Sequence, residues 1–147
     1  MTSELNNSTK ALLVFVLIVH IMFFVLEAIL WMHPEVHTLL IALLNNPVSI
    51  DVHTQALTLK NLFINQGFYN LFLVVAGVAG LQLVKRQQYS AGYALLLLLC
   101  FSATGAGIIL ALSTKAYLLA FFQAVPAAVA FIKLYPLYKR HSKAIVN

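Results

Sequence analysis

The run ALLVFVLIVHIMFFVLEAILWM, residues 11–32, is free of Lys, Arg and Asp, and its one acidic residue is Glu27. It is long enough to cross a bilayer, whose hydrocarbon core is about 30 Å thick and takes roughly 20 apolar residues at a helical rise of about 1.5 Å each. A carboxylate within such a run costs on the order of 2.5–3.5 kcal/mol. Glu27 therefore calls for a partner or a task.

The rest of the chain is built the same way. Its 147 residues are 62% hydrophobic and only 9% charged, with a mean hydropathy of +0.92. A soluble domain carries about 25% charged residues, so this chain cannot cover a water-facing surface and takes the membrane as its solvent. Four runs qualify as spans: residues 11–32, 61–84, 89–112 and 116–137. Strand-like alternation is absent, and an isolated chain segment in lipid satisfies its backbone as a helix. The expectation is an all-α integral membrane four-helix bundle forming a single membrane domain, residues 1–147. The first run exceeds the 7–15 residues or so of a signal-peptide core and no small-residue cleavage site follows it, so it reads as a retained span.

Short links, Lys85-Arg86-Gln87-Gln88 and Ser113-Thr114-Lys115, make the second, third and fourth helices antiparallel neighbours. Lys10, Lys85, Arg86, Lys139, Arg140 and Lys143 fall at one end; Lys60 and Lys115 fall at the other. The positive-inside rule then predicts both termini in the cytoplasm. Lys133 is expected to snorkel, with Tyr135 and Tyr138 in an interfacial belt. The basic residues flank the spans and form no aromatic-interleaved patch, which argues against nucleic acid despite the net charge of +5. Residues 33–60 read as one long outer loop. Its apolar stretch, residues 38–44, is too short to cross, and with the turn signal Asn45-Asn46-Pro47 it reads as an interfacial or half-inserted helix.

The polar residues of the spans converge in depth. Counted from the outer ends, Glu27, Asn65, Gln66, Asn70, Thr104 and Gln123 fall in the outer half of the bilayer and His20 lies near its middle, while the cytoplasmic halves are almost purely apolar. Facing agrees as well. His20 and Glu27 are seven residues apart and share a stripe with Phe23, Phe24 and Trp31. Asn65 with Tyr69, and Gln66 with Asn70, make a polar arc that turns toward protein or water. Pro126, near Gln123, frees the Phe122 carbonyl. Gly77, Gly80, Gly105 and Gly107 suit close helix contact.

The string Asn65-Gln66-Gly67-Phe68-Tyr69-Asn70, the pattern His20…Glu27…Trp31, and Gln123-Ala124-Val125-Pro126 resemble the family of small bacterial membrane proteins catalogued as domain of unknown function 1304. The resemblance runs from about Lys10 to Leu137. It implies a four-helix fold in the bacterial inner (cytoplasmic) membrane, with those polar residues as its signature, and it names no activity or cofactor.

Three functional readings follow. The first is a pocket in the outer half of the bilayer for a small apolar or amphipathic ligand such as a lipid, quinone or isoprenoid. Phe23, Phe24, Phe68, Tyr69 and Phe122 would wall it, and Asn65, Gln66, Tyr69, Asn70, Gln123, Trp31 and Thr104 would contact the ligand. Glu27, with His20 as relay, would carry proton transfer. The second is an accessory subunit of a larger membrane complex. The third is a proton-coupled transporter working as a homo-oligomer, against which stands the lack of a polar track through the cytoplasmic half. A metal is not expected: His33, Glu35, His37, Asp51 and His53 share the outer segment, but Pro34 interrupts their spacing. Cys100 is the single cysteine, so no internal disulfide forms. Nucleophile and nucleotide-binding motifs are missing from the sequence.

Overall fold

The computed structural model describes residues 5–45 and 48–143, all of whose regular elements are helical. Asn46 and Pro47 of the expected turn lie outside the described residues. The helices are α1 (Asn7–Phe24), continued by a π-helical turn (Val25–Ile29), α2 (Pro34–Leu44), α3 (Val52–Lys85), α4 (Tyr89–Ser113) and α5 (Tyr117–Lys143). Four of these segments are long and apolar enough to cross a membrane, and the chain is a multi-pass membrane protein. Helix α4 packs on both α3 and α5, and α1 closes the ring against α3 and α5.

Local chemistry sets the ends. Asn6 caps α1, its Oδ1 accepting from the Thr9 amide at 2.8 Å. Asp51 caps α3 by accepting from the Thr54 amide at 2.9 Å and the Thr54 hydroxyl at 2.6 Å, which holds its carboxyl below the ordinary aspartate range. Pro34 occupies the first turn of α2, where its missing N–H costs nothing. The α3–α4 turn is a Schellman arrangement. Gln87 adopts φ 63°, its amide bonds the Val84 carbonyl at 3.0 Å, and the Gln88 amide reaches Leu83 at 2.9 Å.

The outer segment differs most from the sequence reading, while α1 starts at Asn7 and α5 runs on to Lys143, each somewhat beyond its predicted span. Helix α3 begins at Val52 rather than at residue 61, and its 34 residues make it about 51 Å long, well beyond the hydrocarbon thickness. The supposed long loop thus holds all of α2 and the start of α3. The expected short helix there is present, longer by its first turn.

The interior of the bundle toward the basic end is filled. Leu13, Tyr93, Leu96, Cys100, Ala130 and Leu134 form one apolar cluster, and Val16, Leu17, Val74, Leu99, Ala103 and Ala127 a second above it. Gly77 faces Leu17 and Leu99, and Gly80 faces the Gly92 carbonyl, so α1, α3 and α4 approach closely. Lys133 donates to the Ser8 hydroxyl at 3.1 Å, near the start of α1.

Candidate functional site

The apolar clusters stop short of the end that carries α2. There the bundle holds a cavity of about 420 Å³ between the ends of α1 and α4, the start of α5, α3 and α2. Its polar lining is Glu27, Gln66, Asn70, Ser113, Thr114 and Gln123; its walls are Phe23, Leu26, Phe63, Leu110 and Leu119. Helix α2 adds Leu40, Leu43 and Leu44.

Glu27 faces this space from within the π turn. The Leu30 amide bonds the Val25 carbonyl, five residues back, at 2.8 Å, which widens the helix at Glu27. Such turns interrupt α-helices most often at functional sites. Gly67 makes room for it: a Cβ there would lie 2.8 Å from both the Ala28 amide nitrogen and the Ala28 Cβ, so only glycine lets α3 come this close. One helical turn along α3, Asn70 Nδ2 donates to Glu27 Oε2 at 2.9 Å and also contacts the Gln66 carbonyl at 3.2 Å. Asn70 is 6% exposed and Gln123, across the cavity on α5, 7%. The half-buried Glu27 carboxyl has a donor, as a polar group drawn out of water requires.

Helix α2 is fastened at three points. Trp31 stacks on Phe63 with ring centroids 3.6 Å apart and donates Nε1–H to the Ala56 carbonyl at 2.9 Å. His37 Nδ1 donates to the Trp31 carbonyl at 3.1 Å. The Lys115 amide donates to the Leu43 carbonyl at 3.1 Å, tying α2 to the α4–α5 link.

The residues expected at the site divide. Glu27, Gln66, Asn70 and Gln123 line one cavity. His20 does not: it is fully buried below, its Nδ1 donating to the Val16 carbonyl at 2.8 Å while Nε2 has no partner among the described residues. His20 lies about two turns below Glu27, beneath Phe23, which does line the cavity with Glu27. Trp31 packs behind the wall against Phe63 instead of lining it. Thr104 turns its hydroxyl back to the Cys100 carbonyl at 2.7 Å. Asn65 is exposed, and Tyr69, 61% exposed, stands on the outside of α3 beside Phe72. Of the expected aromatic walls only Phe23 serves. Phe68 pairs with Phe24 and Phe122 with Phe15, and both Phe68 and Phe122 lie at the exposed surface of the bundle. The leucines of α2 and Phe63 were not anticipated as walls. The amphipathic run that follows Pro34 was the available signal. Among the described residues no three His, Cys, Asp or Glu side chains gather in a way that would hold a metal ion.

A family model described as "Protein of unknown function (DUF1304)" matches residues 14–135, which include every polar residue of the cavity. No curated protein and no solved structure matches the chain.

Proposed function

We propose that this chain, which belongs to the DUF1304 family, binds a small apolar or amphipathic molecule in the α2-end cavity, with Glu27 as the group that meets the ligand's polar end. The observation that carries the reading is a carboxyl bonded to Asn70 in the lining of an otherwise largely apolar cavity of about 420 Å³. That volume lies in the range of small-molecule sites, roughly 300–1,000 Å³, and so does the pattern of apolar walls with a few convergent polar groups. Asn70 engages Oε2, leaving Oε1 to take a proton from, or give one to, a ligand hydroxyl or carbonyl-activated carbon. Gln66 and Gln123 supply amide donors and acceptors to orient it.

The apolar clusters beneath the cavity favour a blind pocket over a transport path, which would need polar groups through the basic half. With the basic end in the cytoplasm, the pocket opens toward the outer leaflet of a cytoplasmic membrane, and a lipid, quinone or isoprenoid enters sideways.

Native mass spectrometry of gently solubilised protein tests this. A small apolar adduct at one per chain that disappears in Glu27→Leu supports the pocket. Empty protein in a stable hetero-complex would replace this reading with that of an accessory subunit.

A further inference from the structure

A second groove lies at the opposite, basic end of the bundle, between the start of α1 and the α3–α4 turn, with a volume of about 480 Å³. Its lining combines two lysines, Lys10 and Lys85, with Leu5, Val14, Leu81 and Tyr89. Lys10 and Val14 are one turn apart on α1, and Leu81 and Lys85 one turn apart on α3, so each helix presents a cation above an apolar side chain. Val14 is 49% exposed, which opens the apolar part of the groove to acyl chains. Both lysines are exposed. The carboxylates among the described residues, Glu27, Glu35 and Asp51, belong to the other end; Glu4 lies outside the described residues. Helix α4 begins at this groove with Tyr89, and its cap, Gln88, makes no side-chain bond to the first turn. The unpaired N–H groups of that turn add positive potential beside the lysines.

We propose that this groove is a binding site for one anionic phospholipid: its phosphate between Lys10 and Lys85 at the start of α4, one acyl chain along Val14 and Leu81. Charge complementarity selects the occupant. Two cations with no described carboxylate beside them favour a net negative headgroup, and the apolar strip continuing from them toward the bilayer centre favours a chain attached to it. A free phosphate has no use for the strip, and a zwitterionic lipid brings its own cation to the lysines.

The test is native mass spectrometry of the detergent-solubilised full chain titrated with phosphatidylglycerol, phosphatidylcholine or inorganic phosphate. The expected result is one tightly held phosphatidylglycerol, preferred over phosphatidylcholine by about thirtyfold, the equivalent of about 2 kcal/mol for two interfacial lysines. Lys10→Gln with Lys85→Gln abolishes that preference, while Lys139→Gln with Arg140→Gln, the same charge change at the same end, keeps it. Equal loss in both double variants would mean diffuse attraction and overturn the site. So would an absence of preference in the wild type, or equal retention of inorganic phosphate. Unchanged thermal melting of the Lys10/Lys85 variant guards against misfolding. Loss of the α2-end adduct in Glu27→Leu is read separately, because the two adducts differ in mass and respond to different substitutions.

Discussion

At the basic end, α3 and α4 cross with Gly80 and Gly92 face to face, and a Cβ on either would sit within about 3 Å of the other's carbonyl oxygen. At the α2 end the space between the same helices and their neighbours is held open and lined with Glu27, Asn70, Gln66 and Gln123. Lipid offers no hydrophobic drive for one helix to bury against another, so close packing rests on small residues and shape. Where that packing is complete, polar groups have no room. Where it is interrupted, there is room for polar groups, and Glu27 is bonded by Asn70. The difference teaches that the cavity is framed by its neighbours rather than left over: the π turn, Gly67 and the fastened α2 each hold it open.

The sharpest break of this comparison is overpacking the tight end. Gly92→Leu places a Cβ 2.7 Å from Val84 Cγ2 and 2.8 Å from the Val84 amide nitrogen, and is expected to cost about 1–3 kcal/mol or more, read as a loss of folded protein on thermal melting. Next comes the polar pair. Asn70→Leu removes the donor to Glu27 and should destabilise by about 1–3 kcal/mol, whereas combining it with Glu27→Leu should recover most of that loss, because no half-buried carboxyl is then left unpaired. Additive losses in the double variant would show that the two side chains do not interact.

Gly67→Ala sharpens the comparison at the open end. The added methyl meets the Ala28 backbone and pushes the π turn away, so ligand retention should fall more than melting temperature. A fall in melting temperature as large as that of Gly92→Leu, with retention intact, would reduce Gly67 to a packing residue. A smaller effect concerns Asp51. Its carboxyl is held below the ordinary aspartate range by Thr54, so its capping contribution is present above the unfolded-state pKa and is lost as pH falls through the lower folded value. Hydrogen-exchange protection at the first turn of α3, taken relative to the intrinsic exchange rate at each pH, should fall in acid, and Asp51→Asn should remove that pH dependence. Smallest is Gly105→Ala: with nothing within 4 Å of the new Cβ, melting should stay within about 0.5 kcal/mol of wild type.

The four spans were legible because a bilayer leaves few options to long apolar runs, and the hydrophobic signal tracks hydrocarbon thickness. For the same reason it missed the start of α3. The Val52–Lys60 turns lie beyond the apolar stretch, and only the Asp51–Thr54 capping pair marks where the helix begins. The depth of Glu27, Asn70, Gln66 and Gln123 could be counted from residue positions, and these four do line one cavity. Facing was less legible. His20 lies about two turns below Glu27 in the apolar core. Trp31, beyond the π turn, packs on Phe63 outside the cavity, although Phe23 of the same stripe lines it. Asn65 and Tyr69 sit on the outer part of the α3 arc, where spacing alone cannot distinguish cavity from lipid. Likewise Gly105 looks like its fellow glycines in sequence, yet only Gly77, Gly80, Gly92 and Gly107, with Gly67, meet a neighbouring helix.

The most direct measurement is an experimental structure of the protein crystallised from a lipid mesophase, at a resolution that shows side chains. The account predicts the Glu27 carboxyl bonded to Asn70, and non-protein density beside it bounded by Gln66, Gln123 and the leucines of α2. A cavity closed by side chains, or Glu27 turned outward among the acyl chains, would contradict it.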